Sequence, residues 1–307
     1  MPLRGAAAAT RRGAGLALPR AAAGRVAGVT TALEVRRLTV DYAAAGWFAD
    51  RRPRRALDDV SLALGDGETL GVVGESGSGK STLARAILGL VRPSSGEVRW
   101  DGRPLDLRDR MRLRGFRREV QVVFQDPVGS LDPRLTAGES IAEALDALEG
   151  LRDRAAARAR VAEALESVGL DASMAGRYPH QMSGGQCQRV AIARATVVRP
   201  RLLVCDEAVS ALDVSVQAQI VNLLVELQRR HGLALLFISH NLAVVRHVAD
   251  RVLVLRGGRR VEYGPVGALF DAPTDPYTRG LLAAVPEPDP VRARAALQQA
   301  SPGPYTA

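Results

Sequence analysis

Residues 74–81 read GESGSGKS, and this stretch decides which fold the rest of the chain can build. It matches the pattern G-x-x-x-x-G-K-S in full, it follows the apolar run LGVV, and a helical pattern begins directly after it. Its glycines let the backbone wrap a phosphate so that several N–H groups converge on the anion. We therefore predict a P-loop, a strand–loop–helix unit that binds nucleotide phosphates. The alternative is a flexible Gly/Ser-rich linker, which the flanking strand and helix argue against.

The same stretch predicts contacts to ATP and to Mg²⁺. Of the 42 lysine and arginine residues only Lys80 is a lysine, which indicates a chemical need for a compact ammonium at this position. We expect Lys80 to reach the β- and γ-phosphates and the Ser81 hydroxyl to bind Mg²⁺. The predicted ATP-binding residues of this stretch are Gly74, Glu75, Ser76, Gly77, Ser78, Gly79, Lys80, Ser81 and Thr82.

An acidic segment, LLVCDE at 202–207, fits the same site. Its four apolar residues predict a buried parallel strand, and α/β proteins bind ligands at the carboxyl ends of such strands. Asp206 can hold Mg²⁺ there, and Glu207 is placed to orient or deprotonate the attacking water. The alternative is that both acids merely favour the N-terminus of a following helix.

Three further side chains are candidates for this site. His240 follows an apolar strand pattern and is expected beside the γ-phosphate, although an isolated histidine is more often a surface or core residue. Gln125 ends the run VVFQ, and its amide can contact both Mg²⁺ and the attacking water. Tyr42 follows the first predicted strand and can stack on adenine, with Trp47 and Phe48 as rivals for that role.

The overall composition is that of an ordinary globular protein, with 47% hydrophobic and 24% charged residues among 307. The net charge of +9 is unevenly distributed, because residues 1–30 contain five arginines and no acid. This Ala/Gly/Arg-rich segment cannot bury enough surface to fold, so we predict a disordered extension over residues 1–32. A transit peptide and a start codon placed too early are the alternatives. We expect no nucleic-acid partner, because the remaining positive charge is dispersed.

Membrane-spanning and disulfide-rich classes are not indicated. No apolar run approaches the roughly 18 residues that a membrane helix needs. The two cysteines, Cys187 and Cys205, form no C-x-x-C pattern, so neither a zinc site nor a disulfide framework is expected. Cys205 lies inside an apolar strand pattern and is expected in the core. The chain is therefore expected to reside in a reducing cytosol.

Hydrophobic periodicity and turn residues predict an α/β fold. Predicted strands lie within 33–40, 61–74, 119–127, 201–205 and 234–239, with hairpins at 96–105 and 251–264. The hairpins turn at Asp101-Gly102 and Gly257-Gly258. Predicted helices run from Lys80 to about Val91, through most of 135–195, and over 214–230. We therefore expect an α/β core with a helical insert at about 130–195.

A second turn, MSGGQ at 182–186, precedes a regular helix, and exposed N–H groups at a helix N-terminus attract anions. One chain then has two anion sites. The motifs GESGSGKS, VVFQDP, MSGGQ, LLVCDE, SALD and SH occur in that order within residues 33–265. This set resembles the nucleotide-binding subunit of ATP-binding cassette (ABC) transporters.

The resemblance implies a P-loop NTPase core with an antiparallel β subdomain and an α-helical subdomain, acting as an ATPase with ATP and Mg²⁺. It also implies a head-to-tail dimer in which each signature turn serves the ATP held by the other subunit. The residues of that turn are Ser183, Gly184, Gly185 and Gln186. Asp213 would then lie along the dimer seam. The two anion sites are explained as halves of two composite sites.

Narrower features resemble the ATPases of oligopeptide, dipeptide and nickel importers. They are the segments 43–61, 125–141 and 264–290. This resemblance implies an ATPase that energises peptide uptake from the cytoplasmic face of the inner membrane, with nickel or another small solute as the alternative. It implies two permease subunits, a second ATPase that is a paralogue, and an extracytoplasmic solute-binding protein. The ATPase domain would cover 33–265 and a tail 266–307, which lacks cysteine and so is expected to hold no iron–sulfur cluster.

Two residues depart from the family pattern. Met182 stands where leucine is common, which is a volume-conserving exchange of small cost. Cys187 stands where arginine is common, which would remove a cation near the dimer interface. We expect weaker dimer electrostatics at most.

Two rival functions remain at this stage. An ABC ATPase of DNA repair, chromosome organisation or translation would usually show a second cassette, a long coiled coil or a zinc module. A subunit whose own composite site is inactive would usually lack catalytic residue types, and here all of them are present.

Overall fold

The computed structural model describes residues 31–43 and 54–284. The predicted extension at 1–30, the adenine-stacking rivals Trp47 and Phe48, and the end of the tail after residue 284 lie outside the described residues. The predicted boundary of the extension at residue 32 is wrong by two residues. Thr31 and Ala32 belong to the first strand, where Thr31 lies opposite Gly65.

An antiparallel sheet contains four strands in the order β2-β1-β4-β5. Their bounds are β1 (Thr31–Tyr42), β2 (Arg54–Gly65), β4 (Ser95–Trp100) and β5 (Arg103–Pro104). The predicted hairpin between β4 and β5 is confirmed. Both of its turn residues, Asp101 and Gly102, have positive φ (48° and 72°), as a tight two-residue turn requires.

A second sheet of six strands runs in the order β10-β9-β3-β8-β7-β6. The strands are β3 (Thr69–Val73), β6 (Val120–Val123), β7 (Leu202–Asp206), β8 (Ala234–Ile238), β9 (Arg251–Arg256) and β10 (Arg259–Pro265). All neighbours pair in parallel except β10, which forms the predicted hairpin with β9. Strand β8 thus lies between β3, which leads into the P-loop, and β7, which ends at Asp206.

The six-stranded sheet is covered on both faces. Along β7, Leu203 and Cys205 pack into a core shared with the helices, whereas Leu202 and Val204 pack into a core shared with the antiparallel sheet. A strand buried on both sides has no polar face, which explains why its sequence is a continuous apolar run.

Nine α-helices occur in the described residues. They are α1 (Lys80–Ile87), α2 (Arg110–Glu119), α3 (Ala137–Glu149), α4 (Arg154–Ser167), α5 (Gly184–Thr196), α6 (Val214–His231), α7 (Leu242–Val248), α8 (Val266–Asp271) and α9 (Pro276–Ala283). Helices α3, α4 and α5 pack against one another, as the helical pattern at 135–195 predicts. The predicted fold class, with its antiparallel and helical parts, is confirmed.

The structure differs from the prediction at three places. Helix α1 ends at Ile87 rather than near residue 91, because Gly89 has a φ of 67° and turns the chain away. Strand β6 ends at Val123, well before the proline at 127, because the Asp126 carboxylate accepts N–H groups from the next turn. Helix α2 was not predicted, since it is rich in arginine and Phe116 is its only buried residue.

Candidate nucleotide-binding site

The loop at 74–81 is packed at its base and open at its tip. Gly74 and Gly79 have φ values of 152° and 106°, and a Cβ at either position would press on a neighbouring backbone carbonyl oxygen. Gly77 has a φ of 78°, and no heavy atom lies within 4 Å of the position its Cβ would take. Residues 75–77 are exposed. The basal glycines are therefore required by packing, and the tip remains open to a ligand.

Lys80 is drawn into this loop. It is 5% exposed, and its Nζ donates to the carbonyl oxygens of Gly74 (2.7 Å) and Glu75 (2.9 Å). Burial lowers the pKa of Lys80, and the negative charges of Glu207 and Asp206 oppose that shift. An ammonium has three N–H donors, so one is left for an anion in the loop.

Ser81 and Asp206 meet across the sheet. The Ser81 Oγ donates to Asp206 Oδ1 at 3.1 Å, which joins the start of α1 to the end of β7. Burial raises the pKa of the Asp206 carboxyl, and the charge of Glu207 adds to this, while the hydrogen bond from Ser81 opposes it. A hydroxyl and a partly buried carboxylate are hard oxygen ligands of the kind that Mg²⁺ prefers, so these residues fit that ion.

Glu207 lies next to His240 and has a strained backbone. Its φ is 52°, a region that side chains other than glycine rarely adopt. The strain is held because its N–H donates to the Ile238 carbonyl (3.0 Å) and its own carbonyl accepts from the Ser210 N–H (3.0 Å). His240 is exposed, and its Nδ1 lies 3.6 Å from Glu207 Oε2, too far for a direct hydrogen bond.

The structure brings Tyr42 to the site. The Tyr42 hydroxyl lies 3.4 Å from Thr82 Oγ1, in the first turn of α1, and the ring is partly buried against the neighbouring core. This places an aromatic ring beside the P-loop, and its role in adenine stacking stays a prediction.

Gln125 is placed differently from its prediction. It does not end a strand, because β6 stops two residues earlier, and its side chain is exposed. Within residues 31–43 and 54–284 no hydrogen bond joins its amide to Ser81, Asp206 or Glu207. Its predicted contacts with Mg²⁺ and water therefore remain a prediction.

The signature turn forms the N-terminus of α5. The Gln186 N–H donates to Ser183 Oγ (3.3 Å), and the Ser183 N–H donates to Gln186 Oε1 (2.9 Å), which together make a capping box. Ser183 and Gly184 are exposed. The turn is thus held in place by its own hydrogen bonds and faces outward.

The segment between Glu207 and α6 lies against this turn. A Cβ at Gly184 would contact Leu212 at 3.7 Å, and one at Gly185 would come within 2.7 Å of Val216. Asp213 precedes α6, is exposed, and forms no side-chain cap, and its place on a dimer seam stays a prediction.

The structure places Cys187 in the core. Its side chain is fully buried in the core of the helical region, with Sγ 3.6 Å from the Pro179 carbonyl oxygen. The expected effect of its exchange on dimer electrostatics stays a prediction. Cys205 is fully buried as predicted, and burial raises its pKa to about 12. Met182 packs partly buried against the helical core, as a leucine would.

The sequence does not predict one contact that the structure shows near the site. The Glu75 N–H donates to the Tyr277 hydroxyl at 3.2 Å, so helix α9 touches the P-loop. Arg256 lies over the Tyr277 ring, 4.7 Å from its centroid, and holds it there. Glu75 and Tyr277 are 202 residues apart in sequence, and no local sequence pattern indicates their contact.

Comparison with known proteins assigns the chain that contains this site to a family. A model of the ABC transporter family matches residues 57–210, and a model of the oligopeptide/dipeptide transporter C-terminal region matches residues 261–306. The oligopeptide transport ATP-binding protein OppF of Escherichia coli K12 is 52% identical over 245 residues, which cover 80% of this chain and 73% of OppF. The chain belongs to the ABC transporter family.

Further relatives agree with this membership. A probable peptide ABC transporter ATP-binding protein of Sinorhizobium fredii is 53% identical over 264 residues, covering 85% of this chain and 74% of that protein. Among solved structures, the dimeric ATP-binding cassette MJ0796 in a post-hydrolysis state, bound to ADP and Pi, superposes with a TM-score of 0.68. It is 31% identical and covers 76% of this chain and 98% of its own. This ABC family chain is therefore an ATPase.

No helix within residues 31–43 and 54–284 is both long and apolar enough to cross a membrane.

Proposed function

We propose that this ABC ATPase binds ATP through residues 74–82 and hydrolyses it with Glu207 as the base or orienting group for water. Lys80 and the N–H groups of the loop bind the phosphates, and Tyr42 stacks on the adenine. Ser81 and Asp206 would hold Mg²⁺, with Gln125 joining them, and the ion would neutralise charge on the phosphates. His240, beside Glu207, contacts the γ-phosphate. The Ser81–Asp206 contact of 3.1 Å at the carboxyl end of β7 is the observation that carries this proposal.

We propose further that the chain works as half of a dimer. Ser183, Gly184, Gly185 and Gln186 form an outward-facing helix N-terminus, which suits an anion bound to another subunit. The exposed Asp213 and the 82% exposed Val214 extend that surface. ATP would then bind more tightly to the closed dimer than to the open one, and hydrolysis would release closure. We propose a paralogous ATPase as the second subunit.

The transported solute is proposed to be a peptide. The match to the oligopeptide/dipeptide transporter C-terminal region and the identity to OppF support this choice over nickel or another small solute. The chain would act from the cytoplasmic face of the inner membrane with two permeases and an extracytoplasmic solute-binding protein. We divide it into an extension that ends at residue 30, an ATPase domain (31–265, with a helical insert at about 130–195) and a tail (266–307).

The loop after β6 is the proposed contact with the permeases. Phe124 and Val128 are 39% and 50% exposed, which is unusual for large apolar side chains on one short loop. They flank Gln125, so a permease segment that covers them would reach a residue proposed to contact Mg²⁺ and the attacking water.

The catalytic assignment is tested with Glu207→Gln. We expect ATP binding to be kept and turnover to fall by about 10²–10⁴, the range that a general base contributes. Single-turnover hydrolysis of radiolabelled ATP measures this directly. A Glu207→Gln chain that hydrolyses at the wild-type rate would exclude Glu207 as the catalytic residue.

The transport assignment is tested by purifying the chain from detergent-solubilised native membranes and identifying the proteins that accompany it. Two polytopic permeases and a second ATPase would support the importer, and an associated binding protein would lead to the solute. A chain that instead arrives with ribosomes or DNA would retain the ATPase and lose the transport role.

A further inference from the structure

A glutamine on the signature helix is connected to the residue after Glu207. Gln188 is fully buried, and its Nε2 donates to the Ala208 carbonyl oxygen at 2.6 Å. The reversed amide would set two acceptors against each other, so the orientation of the amide is determined by its partner. The bond therefore joins the start of α5 to the backbone that carries Glu207.

The other end of the same amide has no partner. Gln188 Oε1 is buried, and no donor reaches it in the part of the chain that the structure describes. A buried acceptor without a donor destabilises a fold, but an apolar side chain of the same length would leave the Ala208 carbonyl without its donor. The amide is therefore fixed at one end, by its bond to the backbone beside Glu207.

The contacts around Gln188 make the signature turn and the segment 208–213 one packed unit. A Cβ at Gly184 would lie 3.7 Å from Leu212, so the start of α5 lies close to the far end of that segment, and a Cβ at Gly185 would lie 2.7 Å from Val216 in the first turn of α6. Ser183 and Gln188 lie in the first turns of one rigid helix, so a shift of its N-terminus moves both. Glu207 lies at the near end, in its left-handed conformation.

We propose that Gln188 is a positioning residue that transmits the state of the signature turn to Glu207. In the proposed dimer, on which this inference rests, binding of the partner's nucleotide at Ser183 and Gly185 controls hydrolysis in this chain's own P-loop site. The relay runs from the helix N-terminus through the Gln188 amide to the Ala208 carbonyl. Hydrolysis at one composite site is thereby made conditional on ATP at the other.

The test is Gln188→Met in the full chain, purified with its membrane subunits, and its control is Gln228→Met. Gln228 also donates from Nε2 to a backbone carbonyl, that of Gly67 (2.9 Å), but far along α6 from the site. We expect Gln188→Met to lower kcat about tenfold or more and to change the ATP half-saturation by less than about twofold. Gln228→Met is expected to leave both unchanged. Equal losses in the two variants would reduce Gln188 to a structural residue.

A double-mutant cycle with Ser183→Ala separates a relay from two independent defects. If Gln188 carries the signal, Ser183→Ala lowers kcat much less in the Gln188→Met background than in the wild type. Losses that multiply would overturn the proposal.

The outcomes distinguish this inference from the function on which it rests. Wild-type turnover together with an inactive Glu207→Gln chain establishes the site independently of Gln188. An unaltered kcat in Gln188→Met would then exclude the relay alone. An active Glu207→Gln chain would remove the proposed catalytic role of Glu207 whatever Gln188 does.

Discussion

The P-loop and the signature turn both present N–H groups at a helix N-terminus, yet they are built in opposite ways. In the P-loop, Ser78 and Lys80 are 4% and 5% exposed, and the Lys80 ammonium is bonded to carbonyls of its own loop. In the signature turn, Ser183 and Gly184 are exposed, and Ser183 is bonded to Gln186 of the same turn. The P-loop is thus an anion site formed within one chain, whereas the signature turn lies on an exposed surface.

This difference teaches which half-site can work alone. The P-loop collects its cation, its hydroxyl and a carboxylate from elements packed against one another, so we expect it to bind nucleotide without a partner. Among the described residues, the side chains of Ser183 and Gln186 each accept the other's backbone N–H and bond to no carboxylate or cation. The signature turn becomes a site only when another surface supplies the anion. Variants of each half should therefore fail in different assays.

Lys80 gives the largest expected effect, and it concerns binding. Removing the ammonium in Lys80→Ala deletes charge-assisted hydrogen bonds to phosphate, which corresponds to about a hundredfold weaker ATP binding or more. Lys80→Arg is the matched control, because it keeps the charge but places a planar guanidinium where two carbonyls hold a compact ammonium. We expect it to bind poorly as well. Titration of the isolated chain with a fluorescent ATP analogue measures both, and normal binding by Lys80→Arg would mean that only charge matters.

Ser183 should give a smaller effect that appears only in the dimer. We expect Ser183→Ala to lower kcat of the assembled complex by about 10–100-fold, because it removes a donor to the developing charge, while the isolated chain binds ATP normally. The loss of the cap itself costs about 1 kcal/mol. Thr136→Ala is the matched control, since Thr136 and Glu139 make the equivalent capping box on α3.

The control separates stability from chemistry. Both variants should lower Tm by similar amounts in thermal unfolding, but only Ser183→Ala should lower turnover. A parallel fall in turnover with Thr136→Ala would mean that the signature turn acts through helix stability, and the contrast between the two half-sites would weaken.

The partly buried carboxyl of Asp206, which the P-loop site has and the signature turn lacks, should make the stability of the fold depend on pH. Burial raises its pKa above the value in the unfolded chain, so between the two values the folded chain keeps a proton that the unfolded chain has lost. The free energy of unfolding therefore falls as the pH rises through this window, and the ionised carboxylate destabilises the nucleotide-free fold at neutral pH.

We expect Asp206→Asn, without nucleotide or Mg²⁺, to melt at a higher temperature than the wild type at pH 7. The difference should shrink as the pH falls toward the unfolded value of about 3.9. The melting temperature should rise by about 2–4 °C for each kcal/mol by which the substitution raises the free energy of unfolding. A wild-type chain that melts higher at pH 7 would show that the carboxylate stabilises the empty P-loop site.

The P-loop site was predictable from the sequence because its motifs are contiguous and each follows an apolar strand pattern. The strand order then brings Ser81 to Asp206, although they are 125 residues apart. What the sequence did not reveal depends on orientation. The face on which Cys187 lies, the end of β6 before Gln125, and the buried amide of Gln188 follow from tertiary packing, which no local pattern encodes.

Tyr277 gives the smallest expected effect and tests whether the P-loop is as self-contained as it looks. Its hydroxyl accepts the Glu75 N–H at an exposed position, so water can replace it, and Tyr277→Phe should raise the ATP half-saturation by about two- to threefold with kcat unchanged. Tyr263→Phe is the control, because that hydroxyl bonds Ala63 and not the loop. A tenfold or larger rise for Tyr277→Phe alone would make α9 part of the nucleotide site. The P-loop would then depend on the tail much as the signature turn depends on a partner.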